Sequence, residues 1–286
     1  MRLATRVKFR ELLASGRAVY PVSVHDPISA RIAQSLGHEV GIMGGSLVSA
    51  VLLAAPDVTL ITLTELAEHV RRTTQAAPMS LIVDADHGYG NALNSMRTVQ
   101  ELEYAGAAAM TLEDTVLPRP FRQGAGQELI SADEMVSKLL AAVAARRDPD
   151  FVLVGRTSAL QACPEDEAME RIRRYAATGI DALMVVGARD YAHMKRIHQA
   201  AGLPLLIGYV PPACNDLKLL AECGVRIALR GHFSFYVALQ SLYETMHHLK
   251  EGLSPEELKP RMASAEVRKV ILRDEEYEQW QAKYLS

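Results

Sequence analysis

The sequence is short of cysteine, of long apolar runs and of concentrated charge. Its three cysteines are an odd number with no CxxC spacing, which argues against a disulfide framework and a cysteine zinc site. The longest apolar run, residues 47–56, is far shorter than a membrane-spanning segment. The net charge of −3 comes with interspersed acids and bases, and no basic stripe indicates nucleic-acid binding.

Segments that would divide or export the chain are also missing. The first residues, MRLATRVKFRELLASG, are charged throughout and contain no apolar signal core, so we expect a cytoplasmic protein without membrane attachment. No linker or composition shift interrupts the 286 residues, so we predict one domain over 1–286. The stretch of about 253–286 is predicted to be a polar helical extension, with Trp280 and Tyr284 as anchors on a neighbouring surface such as another subunit.

Short apolar runs alternate with amphipathic helical patterns along the whole chain. The runs are continuous rather than alternating, which is typical of parallel strands buried on both faces. Eight such units favour a (β/α)8 TIM-type barrel, with an open doubly wound sheet as the alternative. The predicted strands are Ala18–Val24, Glu39–Met43, Met79–Val83, Ala107–Leu112, Phe151–Val154, Ala182–Val186, Leu203–Ile207 and Val225–Leu229, and Leu60–Leu63 is too weak to count.

One strand runs directly into two carboxylates. Residues 81–92 read LIVDADHGYGNA, and the spacing of Asp84 and Asp86 predicts that both lie on the same face of the strand as Ile82. Two carboxylates inside a barrel would repel each other unless a cation lies between them. A helix cap and a solvated loop residue would be the ordinary alternative for this pair.

Other predicted strands also end in polar residues, and they do so at the same end. Such a pattern favours one ligand site at the carboxyl ends of the strands over a set of unrelated caps and surface charges. Asp26, which precedes a proline, is expected to cap a helix, whereas His232 and Tyr209 fit either a site or a structural role. The polar strand ends are His25–Asp26, Ser46, Thr111, Glu113, Arg156, Tyr209 and Arg230–His232.

The carboxylates point to a hard metal ion. Oxygen donors suit Mg²⁺, with Mn²⁺ as the alternative ion, and Mg²⁺ keeps several waters, so that some carboxylates would act through water. The sequence has no HxH or CxxC motif, which disfavours zinc. We therefore expect a magnesium site at the carboxyl ends of the strands.

Four segments, in order and spacing, resemble the isocitrate lyase/phosphoenolpyruvate mutase superfamily: GGSLVSAVLLAAPD, LIVDADHGYGNALN, AAMTLEDTVLP and LVGRTSA. The resemblance extends over nearly the whole chain. It implies a (β/α)8 barrel that binds Mg²⁺ and an α-oxoacid and stabilises an enolate. It also implies a homotetramer, a dimer of dimers, in which the eighth helix is swapped between neighbouring subunits.

The resemblance further implies roles for individual residues. It places a direct magnesium contact on Asp84 and water-mediated contacts on three further acids, Asp57, Asp86 and Glu113. It places the substrate carboxylate on Ser46 and the backbone of Leu47, and the enolate oxygen on Arg156.

The segment after Glu113 separates the branches of that superfamily. It reads TVLPRPFRQGAGQELI and lacks both the cysteine and lysine of the lyases and the asparagine of the mutases and phosphonopyruvate hydrolases. The oxaloacetate decarboxylase branch resembles this chain most, in DADHGYGNALN, in Tyr209 and in Gly231–His232. The expected function is therefore Mg²⁺-dependent decarboxylation of oxaloacetate to pyruvate and CO₂ through a metal-stabilised enolate.

In that reaction Arg156 would stabilise the enolate oxygen. His232 would contact the departing C4 carboxylate or move a proton to C3, and Tyr209 would hold water or that carboxylate. Three alternatives stay open: a C–C bond lyase of the 2-methylisocitrate type, a phosphonopyruvate hydrolase, and a non-catalytic α-oxoacid-binding protein.

Overall fold

Eight parallel strands form a single sheet in the computed structural model, which describes residues 3–121, 126–252 and 254–285. Each strand pairs with the next one along the chain, so that the sheet order follows the sequence order. The strands are β1 (Val22–Ser23), β2 (Val40–Met43), β3 (Ser80–Asp84), β4 (Ala109–Glu113), β5 (Val152–Thr157), β6 (Ala182–Val185), β7 (Leu205–Ile207) and β8 (Val225–Ala228).

The first and last strands of the sheet meet. Val19, just before β1, forms a parallel bridge with Ile227 of β8. Its N–H donates to the carbonyl of Arg226 at 2.9 Å, and its own carbonyl accepts from the N–H of Ala228 at 3.0 Å. An open doubly wound sheet would leave two free edges, so this pairing confirms the predicted (β/α)8 architecture.

Helices connect and surround the strands. The predicted cap at Asp26 is present, since its carboxylate accepts from the N–H of Ser29 at 2.7 Å. The weak run Leu60–Leu63 forms no strand, and a helix begins at its last residue. The helices are α1 (Ala4–Ala14), α2 (Pro27–Ser35), α3 (Gly45–Leu53), α4 (Leu63–Ala76), α5 (Ala92–Tyr104), α6 (Ala132–Ala145), α7 (Ala159–Ala162), α8 (Glu165–Ala176), α9 (Tyr191–Ala201), α10 (Leu217–Glu222), α11 (Phe233–Lys250), α12 (Pro255–Leu258), a 3₁₀ turn (Lys259–Arg261), α13 (Ala265–Leu272) and α14 (Asp274–Tyr284).

The buried apolar residues form two clusters, one inside the barrel and one between strands and helices. On β3, Ile82 belongs to the inner cluster, whereas Leu81 and Val83 belong to the outer one. Phe9 and Leu12 of α1 also join the inner cluster, and α1 contacts the sheet at β3 and β5. Because side chains alternate along a strand, the side chain of Asp84 lies on the same inward face as Ile82, at the carboxyl end of the barrel.

The C-terminal helices leave much apolar surface uncovered. No residue of α11 is buried, and α13 contacts α2, where Arg31 donates to the carbonyl of Ile271 at 3.2 Å. The expected anchors Trp280 and Tyr284 are 42% and 67% exposed on this chain. Within the described ranges, no helix is both long and apolar enough to cross a membrane.

Candidate active site

Asp84 lies at the centre of a polar cluster formed by three adjacent strands. Its Oδ1 accepts from the Thr111 hydroxyl of β4 at 2.8 Å, and its Oδ2 accepts from Arg156 of β5 at 2.5 Å. Burial would raise the pKa of Asp84, but Arg156 and the Thr111 hydrogen bond outweigh it and hold that pKa below its usual range. Asp84 is therefore a carboxylate at neutral pH.

Glu113 lies beside the same guanidinium. The register of β4 and β5 pairs Glu113 with Arg156, and Oε2 of Glu113 lies 3.3 Å from Nε of Arg156. Thr115 donates to the same oxygen at 3.1 Å and accepts from the amide of Gln127 at 2.8 Å. Burial raises the pKa of Glu113 despite the opposing charge of Arg156. The guanidinium thus contacts two acidic side chains at once.

Asp86 also lies in this cluster, but the alternation of side chains along β3 does not explain its position. It lies beyond the end of β3 with φ +46°, so a left-handed turn, and not the pleat, directs its side chain. A Cβ built on Gly45 would lie 2.7 Å from Oδ1 of Asp86, which places this carboxylate against the start of α3. The prediction that Asp84 and Asp86 lie together agrees with this geometry, but the strand-face reason given for it is wrong.

The pKa of the Asp86 carboxyl group is raised far above its ordinary value. Burial, followed by the charges of Asp84, Glu113 and Asp57, raises this pKa to about 8 against the opposing charge of Arg156. A like charge nearby and loss of water both disfavour the ionised form. A bound cation would favour the ionised form of Asp86 and lower its pKa.

Asp57 approaches the cluster from the segment after α3. Asp57 is exposed overall, but partial loss of water around its carboxyl group raises its pKa, and the charge of Asp84 raises it further. The charges of Arg156 and His232 oppose this shift. A cavity of about 410 Å³ separates Asp57 from the segment that follows Glu113, and Thr115, Arg119 and Gln127 also line it. Residues 122–125 of that segment lie outside the described residues.

The amino end of α3 opens at the same mouth. Gly44 precedes the helix, Ser46 is half-buried in its first turn, and Leu47 is buried with its N–H donating to the carbonyl of Gly44 at 3.1 Å. The dipole of a helix favours an anion at its amino end. The position of Ser46 at this helix end agrees with its predicted contact to a carboxylate, whereas the Leu47 N–H already has the Gly44 carbonyl as its partner and its predicted contact stays a prediction.

His232 faces this helix end from the carboxyl side of β8. Its Nδ1 lies 2.8 Å from the hydroxyl of Ser23, and a Cβ on Gly44 would lie 2.9 Å from its Nε2. Its side chain makes no capping hydrogen bond to α11, so a structural role as a helix cap has no support. Burial lowers the pKa of His232, while Asp84 and Asp57 oppose the shift.

Tyr209 was predicted as a site residue and Ser23 was not, and the structure places the two differently. Tyr209 follows β7 and is 53% exposed, and the described residues offer its hydroxyl no hydrogen-bond partner. Ser23, which ends β1 two residues before His25, was missed by sequence reasoning although its hydroxyl contacts His232. Its position at a strand end was the one available signal, but a serine at such a position does not by itself indicate a site.

The donor set fits a divalent metal ion. Asp57, Asp84, Asp86 and Glu113 supply only oxygen atoms, and they outnumber the one guanidinium among them, which would leave surplus negative charge. In the part of the chain that the structure describes, no three His, Cys, Asp or Glu side chains converge closely enough to hold an ion by themselves. One direct carboxylate with water bridges to the others suits this spacing, and Mg²⁺ keeps several waters.

Comparisons with known proteins find one matching family and several similar proteins. Residues 9–250, from α1 to the end of α11, match the protein family described as phosphoenolpyruvate phosphomutase. An oxaloacetate decarboxylase of Bradyrhizobium diazoefficiens is 46% identical over 271 residues, which cover 95% of this chain and 93% of the relative. A solved phosphonopyruvate hydrolase complex with oxalate and Mg²⁺ aligns over 99% of both chains, with a TM-score of 0.87 and 27% identity. An oxaloacetate acetylhydrolase with the inhibitor 3,3-difluorooxalacetate aligns over 98% of this chain and 97% of its own, with a TM-score of 0.84 and 27% identity.

Proposed function

Because this chain belongs to the phosphoenolpyruvate phosphomutase family, we propose that it is a carboxy-lyase that converts oxaloacetate to pyruvate and CO₂ with a divalent metal ion. The observation that carries the proposal is its similarity to oxaloacetate decarboxylases, which are 44–46% identical over 94% or more of this chain. The acidic cluster and the guanidinium of Arg156 beside it supply the chemistry that this reaction needs.

Asp84 would be the direct ligand of the metal ion, and Asp57, Asp86 and Glu113 would act mainly through water. Mg²⁺ is the proposed ion and Mn²⁺ the alternative, since both accept oxygen ligands. A bound ion supplies a Lewis acid that polarises the C2 carbonyl and orients the C1 carboxylate of an α-oxoacid. Thr111 and Arg156 keep the Asp84 carboxylate ionised for this role.

Three groups of the chain would bind the substrate. Ser46 and the backbone of Leu47 hold the C1 carboxylate at the start of α3. Arg156 donates to the C2 oxygen, where negative charge develops, and its pKa is raised because Asp84 and Glu113 outweigh burial. His232 faces the C4 carboxylate from the other side of the mouth.

In the reaction the C3–C4 bond breaks and CO₂ leaves. The bonding electrons form the C2–C3 double bond of an enolate, and the carbonyl electrons move to the C2 oxygen beside Arg156. A proton then adds to C3 and gives pyruvate. In this proposal His232 delivers that proton, and Tyr209 holds the adjacent water or carboxylate.

The segment after Glu113 favours decarboxylation over the alternative reactions on this scaffold. Its described ends pair with each other, since Thr115 and Leu129 form an antiparallel bridge. Residues 115–130 contain no cysteine, lysine or asparagine. A lyase of the 2-methylisocitrate type would need an acid there to protonate its leaving carbanion, whereas a decarboxylase releases CO₂ without one.

We further propose that the chain assembles as a homotetramer, a dimer of dimers, in which α11 is exchanged between neighbours. The support is the absence of any buried residue on α11, together with its many exposed apolar side chains. An exposed apolar face of this extent is typical of an interaction surface.

A substrate panel tests the proposed function. Purified protein with Mg²⁺ is mixed separately with oxaloacetate, 2-methylisocitrate and phosphonopyruvate, and pyruvate release is followed against a protein-free control. We expect oxaloacetate to be the fastest substrate by far. Faster cleavage of either other compound would refute the assignment, and no turnover of any of them would favour a binding protein.

A further inference from the structure

We propose that Ser23 is a positioning residue that holds Nδ1–H of His232, so that His232 gains and loses its proton at Nε2. The inference rests on the proposed function, because it concerns the residue that would act on C3 or C4 of oxaloacetate. It is carried by the hydrogen bonds of Ser23 and by the space beside Gly44.

Ser23 lies between two partners that belong to the carboxyl end of β8. It is only 6% exposed, and its hydroxyl oxygen lies 2.8 Å from Nδ1 of His232 and 3.3 Å from the carbonyl oxygen of Gly231. A carbonyl oxygen can only accept, so the contact with Gly231 uses the single hydroxyl proton of Ser23. The serine oxygen is then free to accept a hydrogen bond from Nδ1–H.

This arrangement fixes the tautomer of the histidine. In the neutral ring one nitrogen carries hydrogen and the other accepts, and the partner of one nitrogen decides the state of the other. If Ser23 donated to Nδ1 instead, the Gly231 carbonyl would lose its donor. Both contacts are satisfied together when Nδ1 is protonated, in the neutral ring and in the imidazolium alike.

The other nitrogen faces the proposed substrate site. The point that a Cβ of Gly44 would occupy lies 2.9 Å from Nε2 of His232 and 3.5 Å from the hydroxyl oxygen of Ser46. Nε2 therefore lies next to the end of α3 that is proposed to hold the substrate carboxylate. With Nδ1–H held by Ser23, a proton on Nε2 can pair with the C4 carboxylate and then move to C3.

Selective ¹⁵N labelling of histidine tests the tautomer, with the His232 signal assigned from its loss in His232→Gln. We expect wild-type His232 to carry hydrogen on Nδ1 in its neutral form, and Ser23→Ala to shift it toward Nε2–H. Ser23→Thr, which keeps a hydroxyl, should restore the wild-type tautomer. A neutral wild-type ring protonated on Nε2, or an unchanged tautomer in Ser23→Ala, would overturn the inference.

Kinetics provide the second readout. Loss of a group that orients a functional histidine costs roughly 10–100-fold in metal sites, and we expect a fall of about tenfold or more in kcat for Ser23→Ala, with a smaller change in KM. Ser80→Ala is the matched control, because Ser80 is also buried on a strand and donates to the carbonyl of Thr5 at 2.9 Å, at the other end of the barrel. An equal loss of kcat in Ser80→Ala would show a merely structural effect and overturn the proposal.

The two proposals fail separately. A wild-type protein with the Nδ1–H tautomer but no decarboxylase activity would overturn the proposed function while supporting the role of Ser23 in holding the ring.

Discussion

At the mouth of the barrel, four carboxyl groups lie near one guanidinium, and their pKa values are shifted in opposite directions. The pKa of Asp84 is held low because it contacts Arg156 and Thr111 directly. The pKa of Asp86 is raised because it is buried among like charges without such a contact. A divalent ion would remove this repulsion, so the stability of the protein and its metal affinity should depend on pH together.

We expect Mg²⁺ to stabilise the protein more at about pH 8.5 than at about pH 6. The folded pKa of Asp86 is about 8 without metal, above the ordinary carboxyl value. Between those values the folded protein holds a proton that the unfolded chain has lost, so metal-free stability falls as pH rises. The raised pKa values of Glu113 and Asp57 act in the same direction. Melting temperatures in EDTA and in Mg²⁺ at both pH values measure the effect.

Asp86→Asn is the matched variant for this experiment. It removes the repelled charge, so the metal-free variant should melt at a higher temperature than the metal-free wild type at the higher pH. An equal gain from Mg²⁺ at both pH values in the wild type would contradict the electrostatic account of the cluster.

Gly44→Ala should lower kcat/KM for oxaloacetate about tenfold or more, because the new methyl group would meet Nε2 of His232. Gly44 has φ −78° and ψ 145°, which any L residue adopts, so the backbone itself tolerates alanine. In a His232→Ala background the same change should cost much less. Kinetics of the four proteins give the coupling, and additive losses would mean that the methyl group does not act through His232.

On the scale of elements, a buried bond outside the barrel links the two strands that carry Glu113 and Arg156. Asp114 follows Glu113, is fully buried, and accepts from the hydroxyls of Thr157 and Tyr175, each at 2.8 Å. Thr157 follows Arg156 on β5. This bond therefore fixes the ends of β4 and β5 relative to each other from behind the site.

Thr157→Val should lower the free energy of unfolding by about 1–3 kcal/mol, because it leaves a buried carboxylate with one donor fewer. It should also lower activity, since Glu113 and Arg156 lose part of their alignment. Denaturant unfolding measures the first effect. Thr64→Val, at an exposed position of α4, is the control and should change stability little. Equal stability of the two variants would contradict this account.

Much of the architecture could be predicted from the sequence because buried parallel strands leave continuous apolar runs, and their ends are marked by polar residues. Asp84, Glu113 and Arg156 lie close together because they belong to the ends of adjacent strands that pair in register. The left-handed conformations of Asp86 and Tyr89 could not be predicted, since non-glycine residues with positive φ leave no sequence signal. The role proposed for Ser23 depends on the 2.8 Å distance between its hydroxyl oxygen and Nδ1 of His232, which the sequence pattern does not reveal.

On the scale of the whole molecule, α11 presents apolar residues that this chain does not cover. Leu242 lies near its middle and is 53% exposed. Leu242→Glu should shift the assembly from tetramer toward smaller species, because a charge in an apolar interface loses its hydration. Light scattering at micromolar concentration measures the mass, with Lys218→Glu on α10 as the control. A wild-type monomer would refute the proposed tetramer.

The most direct test of the account is the Mg²⁺-dependent rate of pyruvate formation from oxaloacetate, corrected for the protein-free rate, in the wild type and two variants. We expect the wild-type activity to vanish in excess EDTA and in Asp84→Ala, which loses the proposed direct ligand. His232→Ala should be slower by roughly 10²-fold, the scale of a lost acid–base or positioning group, with Mg²⁺ affinity little changed. Full wild-type activity in EDTA, or normal decarboxylation by His232→Ala, would contradict the mechanism.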